Sequence, residues 1–179
     1  MEGSGFIGSP TGVQAGGRWY AAYVRANHEF RVSERLAKAG IEAFLPAVER
    51  SRRWKDRRKS VSFPLFPSYL FVHTGISPKE RLAILKTPGI VSLLGTAGEA
   101  EPVSDGEIDS LKRLVSSRVP IEPYPYLKEG RRVRVKRGAL EGIEGVLVEI
   151  RGGHSLVLSV DILRRGVSVR VDASDIEPA

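Results

Sequence analysis

Residues 61–73, Val-Ser-Phe-Pro-Leu-Phe-Pro-Ser-Tyr-Leu-Phe-Val-His, form the longest apolar run of the chain. Val, Phe, Tyr and Leu dominate it, which predicts a β-strand. Pro64 and Pro67 cannot donate to a ladder, so the first half is expected to be an edge, a bulge or an entry loop. The regular strand then runs from about 68 to 73. Strand side chains alternate between faces, so Tyr69 and Phe71 share one face while Leu70 and Val72 share the other. A second strand over 19–25 repeats the pattern, with Trp19, Ala21 and Tyr23 on one parity and Tyr20, Ala22 and Val24 on the other. A sheet apolar on both sides needs two covers. Helices can supply one. The aromatic face is then either a surface for a partner molecule or is covered by the chain itself.

The rest of the chain supplies those helices. Positions 27–39 read as a helix capped by Asn27 and ended by Gly40, with Phe30, Val32, Leu36, Ala37 and Ala39 on one broad face and Arg31, Arg35 and Lys38 on the opposite arc. Positions 41–45 read as a short strand. Ser77-Pro-Lys-Glu80 and Ser104-Asp-Gly-Glu107 are capping boxes that open two more helices, the second with Ile108, Leu111, Leu114 and Val115 on one face. Between those helices lies a strand over 90–94. The order β-α-β-β-α-β-α predicts a ferredoxin-like α+β unit with an extra helix. Such a sheet carries its helices on one face, which leaves Trp19, Tyr23, Pro67, Tyr69 and Phe71 on the open one, with Phe66 at its border.

Residues 119–126 hold three prolines and are expected to be a stiff, extended linker rather than an element. Beyond them, short alternating runs (Val133 and Val135, then 146–150, 156–160 and 167–171) with glycine turns and no helical period predict a small β-barrel. About fifty residues enclose little core, so this unit is expected to be marginally stable. The domain expectation is therefore a tail over 1–17, a first domain over 18–116, a linker over 117–128 and a barrel over 129–179.

Charge changes the picture next. The formal net charge is +7, and seven of the ten residues in 50–59 are basic with Trp54 among them. Like charges repel, so that segment is expected to be an exposed hairpin tip or loop, and its density suggests an anionic partner. The chain has no cysteine, which excludes disulfides and thiolate metal sites and suits the cytoplasm. No apolar stretch approaches the ~20 residues of a membrane helix. His28, His73 and His154 stand apart, without metal-ligand spacing, and no nucleophile–base arrangement is visible, so neither catalysis, a metal nor a cofactor is expected.

Two stretches carry a family resemblance. Glu129-Gly-Arg-Arg-Val-Arg-Val-Lys-Arg-Gly-Ala-Leu-Glu-Gly-Ile-Glu-Gly-Val-Leu-Val-Glu-Ile150 resembles a KOW motif, the signature of a five-stranded, SH3-like barrel. Arg18-Trp-Tyr20, Arg58-Lys-Ser60, Pro64-Leu-Phe-Pro-Ser-Tyr-Leu-Phe-Val72, Thr87-Pro-Gly-Ile-Val91 and Pro102-Val-Ser-Asp105 resemble the N-terminal (NGN) domain of NusG-family transcription elongation factors. The 64–71 run and the basic 50–59 segment look more like specialised paralogues, of the RfaH and UpxY kind, than like housekeeping NusG.

The resemblance implies a monomeric cytoplasmic factor that docks on RNA polymerase. In the family, the aromatic face seats on the β′ clamp helices, the domain bridges the DNA channel towards the β lobe, and pausing or termination is suppressed. By motif position Trp19, Tyr23, Phe66, Pro67, Tyr69 and Phe71 fall on that surface. Arg25, Arg31, Arg35, Lys86 and Thr87 fall on or near positions that in specialised members contact non-template DNA. Arg52, Arg53, Lys55, Arg57 and Arg58 could contact nucleic acid from the basic loop. In the barrel, Ile162 and Leu163 fit the loop that in the family contacts Rho or a small-subunit ribosomal protein. The family pattern commonly has an aromatic where this chain has Leu163, and Arg164 and Arg165 follow it. The other reading is a KOW-type RNA- or ribosome-binding protein that uses the basic 50–59 segment.

Overall fold

A computed structural model describes residues 16–54, 57–127, 129–150 and 152–179, and the side chains of residues 51–59 lie outside that description. The expected tail therefore falls almost wholly outside the described residues. The elements run β1 (Arg18–Val24), α1 (Glu29–Lys38), β2 (Glu42–Phe44), β3 (Ala47–Trp54), β4 (Arg57–Pro64), β5 (Tyr69–Thr74), α2 (Pro78–Leu85) and β6 (Ile90–Leu93). After them come β7 (Gly95–Thr96), β8 (Glu99–Ala100), β9 (Pro102–Val103) and α3 (Asp105–Ser116). The C-terminal part is β10 (Ile121–Pro125), β11 (Arg131–Val135), β12 (Glu144–Ile150), β13 (Gly153–Val160), β14 (Arg165–Val171), a short 3-10 turn and β15 (Ile176–Pro178).

The first sheet has the order β2-β5-β1-β6, with β9 also paired to β1. This is the expected ferredoxin-like order, with the β3–β4 hairpin inserted between β2 and β5. In the register of the central pair, Tyr23 faces Tyr69 and Ala21 faces Phe71. The two parities lead to two separate cores. Tyr20, Ala22, Val24, Leu70 and Val72 pack with Val32 and Leu36 of α1 and Ile84 of α2. Trp19, Ala21 and Phe71 pack on the other side with Leu65, Phe66 and the α3 residues Ile108, Leu111 and Leu114.

Caps differ from their sequence signals in instructive ways. Asn27 does not cap α1. It adopts a left-handed φ of 62° in the reversal after β1, a conformation that asparagine tolerates, and the N-cap position passes to His28 without a side-chain bond. Gly40 ends the helix with φ 72°, as expected. The buried stripe of α1 is Glu29, Val32 and Leu36, so Phe30, expected on the apolar face, stays 41% exposed. At α2 the Ser77–Glu80 capping box closes on both sides, and the Ser77 hydroxyl and backbone N–H hold the Glu80 carboxyl below its ordinary range. At α3 the second box does not close. Ser104 makes no side-chain cap bond, and Glu107 faces Asp161 of the second sheet instead.

The second sheet has the order β10-β14-β13-β12-β11-β15. The five expected barrel strands are β11 to β15. The proline-rich stretch is extended, but it is an element after all: Ile121–Pro125 pairs antiparallel with β14. Proline is tolerated there because β10 is an edge strand, and Ile121, 5% exposed, anchors it in the core. Gly145 illustrates why the motif spacing needs glycine. A Cβ there would lie 2.5 Å from the Val157 carbonyl oxygen, so the ladder between β12 and β13 leaves no room for a side chain. Among the described residues no helix is long and apolar enough to cross a membrane.

The core of the second sheet is not separate from the first. Val133, Ile143, Leu156, Leu158, Val167 and Val169 belong to the same contiguous cluster as Trp19, Phe71 and Leu111. The barrel thus gains core by leaning on the first unit through α3. This answers the small-core argument physically, since shared burial adds apolar area that fifty residues lack.

Candidate functional site

The aromatic face is where sequence and structure must be reconciled. β1 and β5 bring Trp19, Ala21, Tyr23, Tyr69 and Phe71 to one side of the sheet, as their parity requires. The side is not open along its whole length. Phe71 and Phe66 are buried, at 0% and 1% exposure, and Trp19 is buried too. The expectation of an uncovered aromatic face is thereby corrected. The cover is not α1 or α2 but α3 and the second sheet, because an apolar face of this size does not stay in water when the same chain can bury it.

Burial is graded along the face. At one end Trp19 lies edge-on to Phe44 with centroids 6.5 Å apart, and the Lys112 ammonium of α3 sits 4.3 Å from its ring centroid. In the middle Phe71 stacks on Phe44 at 6.2 Å. At the far end Tyr23 and Tyr69 pair at 5.5 Å; Tyr69 is half-buried and Tyr23 remains 38% exposed. Pro67 is exposed beside them, in the turn closed by the Tyr69 N–H to the Phe66 carbonyl at 3.1 Å. That turn is held from behind by Glu29, which is buried and whose carboxylate accepts the Ser68 N–H at 2.8 Å. Glu29 was not singled out in the sequence. A lone acid at the start of a helix carries no local sign that it will be buried.

The open end of this face adjoins a basic corner. The Arg25 N–H donates to the Gly89 carbonyl at 2.9 Å, and Arg35 Nη1 donates to the Pro88 carbonyl at 2.6 Å. Arg25, Arg31, Arg35 and Lys86 are all exposed; Arg25 and Arg35 are tied to the 88–89 turn, and Arg31 lies one helical turn before Arg35 on α1. Thr87 does not join them. It is buried, and its hydroxyl donates to the Ala83 carbonyl at 3.1 Å, which ends α2. Arg52, Arg53, Arg57 and Arg58 are placed on the β3–β4 hairpin, with Arg53 opposite Arg58. Their side chains, and Lys55 altogether, lie outside the described residues.

The loop between β13 and β14 lies at the interface of the two sheets. Leu163 is buried and Ile162 packs partly against the shared cluster, so neither is the free apolar tip expected. Arg165 stands 5.1 Å from the Tyr69 ring centroid and donates from Nη1 to the Pro67 carbonyl at 3.4 Å. Arg164 lies over Tyr126 at 4.6 Å, and the Tyr126 hydroxyl donates to Asp161 at 2.8 Å. A cleft of about 690 Å³ separates α3 from the barrel nearby, lined among others by Glu107, Arg113, Arg132, Glu144 and Asp161. Burial, then the neighbouring Asp161 charge, raises the pKa of Glu107 there. Among the described residues no group of three or more His, Asp or Glu side chains could hold a metal ion.

Comparisons with known proteins fit this architecture. The family model described as "Transcription termination factor nusG" matches residues 17–112. The chain is 25% identical over 172 residues to the transcription termination/antitermination protein NusG of Lactococcus lactis, covering 89% of this chain and 91% of that one. It is 24% identical over 174 residues to the same-named protein of Halalkalibacterium halodurans, covering 89% and 97%. Among solved structures, "Domain interaction in Thermotoga maritima NusG" matches the fold with a TM-score of 0.53 at 22% identity, over 90% of this chain and 97% of that one. With the sheet order, the second β-rich unit and the matched family model together, the chain belongs to the NusG family of transcription termination/antitermination factors.

Proposed function

We propose that this protein binds RNA polymerase at the β′ clamp helices through the aromatic face of its first sheet, bridges the DNA channel and favours elongation over pausing or termination. The observation that carries this reading is the segregation of the sheet into two chemically different faces. The face under α1 and α2 is almost wholly aliphatic, whereas the other gathers Trp19, Phe71, Tyr69 and Tyr23. Aromatic residues grouped at the centre of a surface are what a helical partner anchors on. Tyr23, 38% exposed, and the exposed Pro67 are the part accessible without rearrangement, whereas the half-buried Tyr69 ring beside them carries Arg165. The neighbouring cations Arg25, Arg31, Arg35 and Lys86 suit an exposed DNA strand in the same complex, because phosphate contacts need charge at a reachable surface. In this reading the two sheets belong to two domains whose contact is separable, with the division between α3 and β10, at residues 117–120.

The test is retention of core RNA polymerase by tagged full-length protein. Tyr23→Ala combined with Tyr69→Ala removes one exposed and one half-buried ring and leaves the buried Phe71 in place. The expected result is loss of about 2 kcal/mol or more of binding, with a single cooperative melt at a slightly lower temperature. Equal recovery of polymerase by the double variant and the wild type would falsify the docking reading. Filter binding to structured RNA at two salt concentrations separates the alternative, since a hairpin-based RNA binder keeps its RNA affinity when both tyrosines are gone.

A further inference from the structure

Glu29 is 4% exposed, and among the described residues no Lys, Arg or His side chain forms an ion pair with it. An acid is rarely buried in that way, because desolvating a carboxylate is costly unless hydrogen bonds replace the lost water. Two features hold it. It is the first residue of α1, where the positive end of a helix favours an acid, and the N-cap His28 makes no competing side-chain bond. Its Oε1 also accepts the Ser68 N–H at 2.8 Å, from a residue 39 positions along the chain.

That bond lands on an unusual turn. Pro67 and Ser68 are its central residues, the Tyr69 N–H closes it on the Phe66 carbonyl, and Ser68 has a φ of 71°. Proline at the first central position with a positive φ at the second defines a type II turn, whose second position ordinarily takes glycine or asparagine. Serine gains nothing from that region by itself, because its Cβ is crowded there. The competing form is a type I turn, in which the Pro67–Ser68 peptide is flipped and serine keeps a negative φ. The N–H and carbonyl of one peptide point in opposite directions. A flip would therefore swing the Ser68 N–H away from α1 and set the Pro67 carbonyl against the Glu29 carboxylate. In the structure that carbonyl points the other way, where Arg165 Nη1 donates to it at 3.4 Å. The Ser68 carbonyl accepts the Val24 N–H at 2.9 Å, which ties the turn to the end of β1 beside Tyr23.

We infer that Glu29 is a positioning residue for docking: its buried carboxylate selects the type II form of the 66–69 turn and so fixes how Pro67 and Tyr69 are presented. The inference rests on the docking reading for its consequence and on the turn geometry for its cause. Glu29 acts from the helix-covered side of the sheet on a surface offered by the other side, and it need not touch the partner.

The experiment uses the full chain and reads the turn directly. The Pro67 Hα lies close to the Ser68 amide proton in a type II turn and farther from it in a type I turn, so the nuclear Overhauser cross-peak between them reports the turn type. Four chains are compared: the unchanged one, Glu29→Ala, Ser68→Gly and both substitutions together. The cross-peak should be strong in the unchanged chain, weak in Glu29→Ala and strong again in the combined variant, because glycine adopts a positive φ without help. Affinity for core polymerase should follow the same order, with a loss of about five- to tenfold in Glu29→Ala, none in Ser68→Gly and recovery to within about twofold in the combined variant. Glu29→Gln keeps an acceptor oxygen and should lose less than Glu29→Ala. Should Glu29→Ala melt without a cooperative transition, Glu29→Gln carries the same comparison at smaller amplitude. A carboxylate that only stabilised α1 would leave the cross-peak unmoved, and its loss would not be repaired from position 68. A cross-peak that stays strong in Glu29→Ala overturns the inference, as does a loss of affinity that Ser68→Gly does not repair. If Glu29→Ala binds polymerase normally while the combined Tyr23 and Tyr69 truncation does not, docking stands and the positioning role falls. If both bind normally while the cross-peak behaves as expected, turn selection stands and the docking reading falls.

Discussion

The two faces of the first sheet are built from alternate residues of the same strands, yet they are covered by different means. Beneath α1 and α2 the residues are mostly aliphatic, and Ala22, Val24, Val32, Leu36, Leu70, Val72 and Ile84 are fully buried. On the other face burial fades from Phe71 at 0% to Tyr23 at 38%, and cations sit over the Trp19 and Tyr69 rings. Aliphatic packing gives no return when it is half undone, since each exposed methylene loses its transfer energy. Aromatic rings capped by guanidinium or ammonium groups lose less on exposure, because ring faces and cations are both partly hydrated. The sheet thus carries an aliphatic, fully buried face on one side and a graded face of rings and cations on the other.

The sharpest way to break that contrast is to damage each face in turn. Leu70→Ala, on the helix-covered side, should cost about 2–5 kcal/mol of stability in urea unfolding. Tyr69→Ala, its neighbour on the opposite side, should cost well under half of that. Similar losses at both positions would erase the contrast. Next in size, the combined Tyr23 and Tyr69 truncation should cost about 2 kcal/mol or more in polymerase binding with little change in stability, which would separate the functional face from the structural one.

Helix ends offer a finer comparison. Ser77→Ala removes a closed capping box and should cost about 1 kcal/mol. Ser104→Ala should cost much less, because Ser104 makes no side-chain cap bond and its box partner Glu107 is turned towards the barrel. The smallest expected effect is on pH. Burial, then the Asp161 charge, raises the Glu107 pKa, with Arg113, Arg132 and Glu144 also lining the cleft. A carboxyl raised by folding binds its proton more tightly in the folded protein than in the unfolded one. Its contribution to stability should therefore be greatest below the ordinary glutamate range and fade as pH rises through the raised value. Glu107→Gln should flatten that slope in urea unfolding measured across pH.

Much of this molecule is legible in local chemistry. Strict alternation around Tyr69 to Val72 and Trp19 to Val24 fixes which side chains share a face, because strand geometry has a period of two wherever it occurs. The Ser77–Glu80 box and the glycine turns of the barrel are likewise decided within a few residues. Other outcomes were settled only by contacts far along the chain. Asn27 looks like a cap but sits in a chain reversal, and Glu107 looks like half of a box but lies beside Asp161 in the turn after β13. The prolines of 119–126 look like a linker, yet β14 offers Ile121–Pro125 an edge to pair with. Above all, alternation could show that the aromatic face wanted a cover without naming it. Local sequence sets which surfaces are apolar; which surface meets which depends on long-range packing, where burial gained elsewhere outweighs any nearby preference.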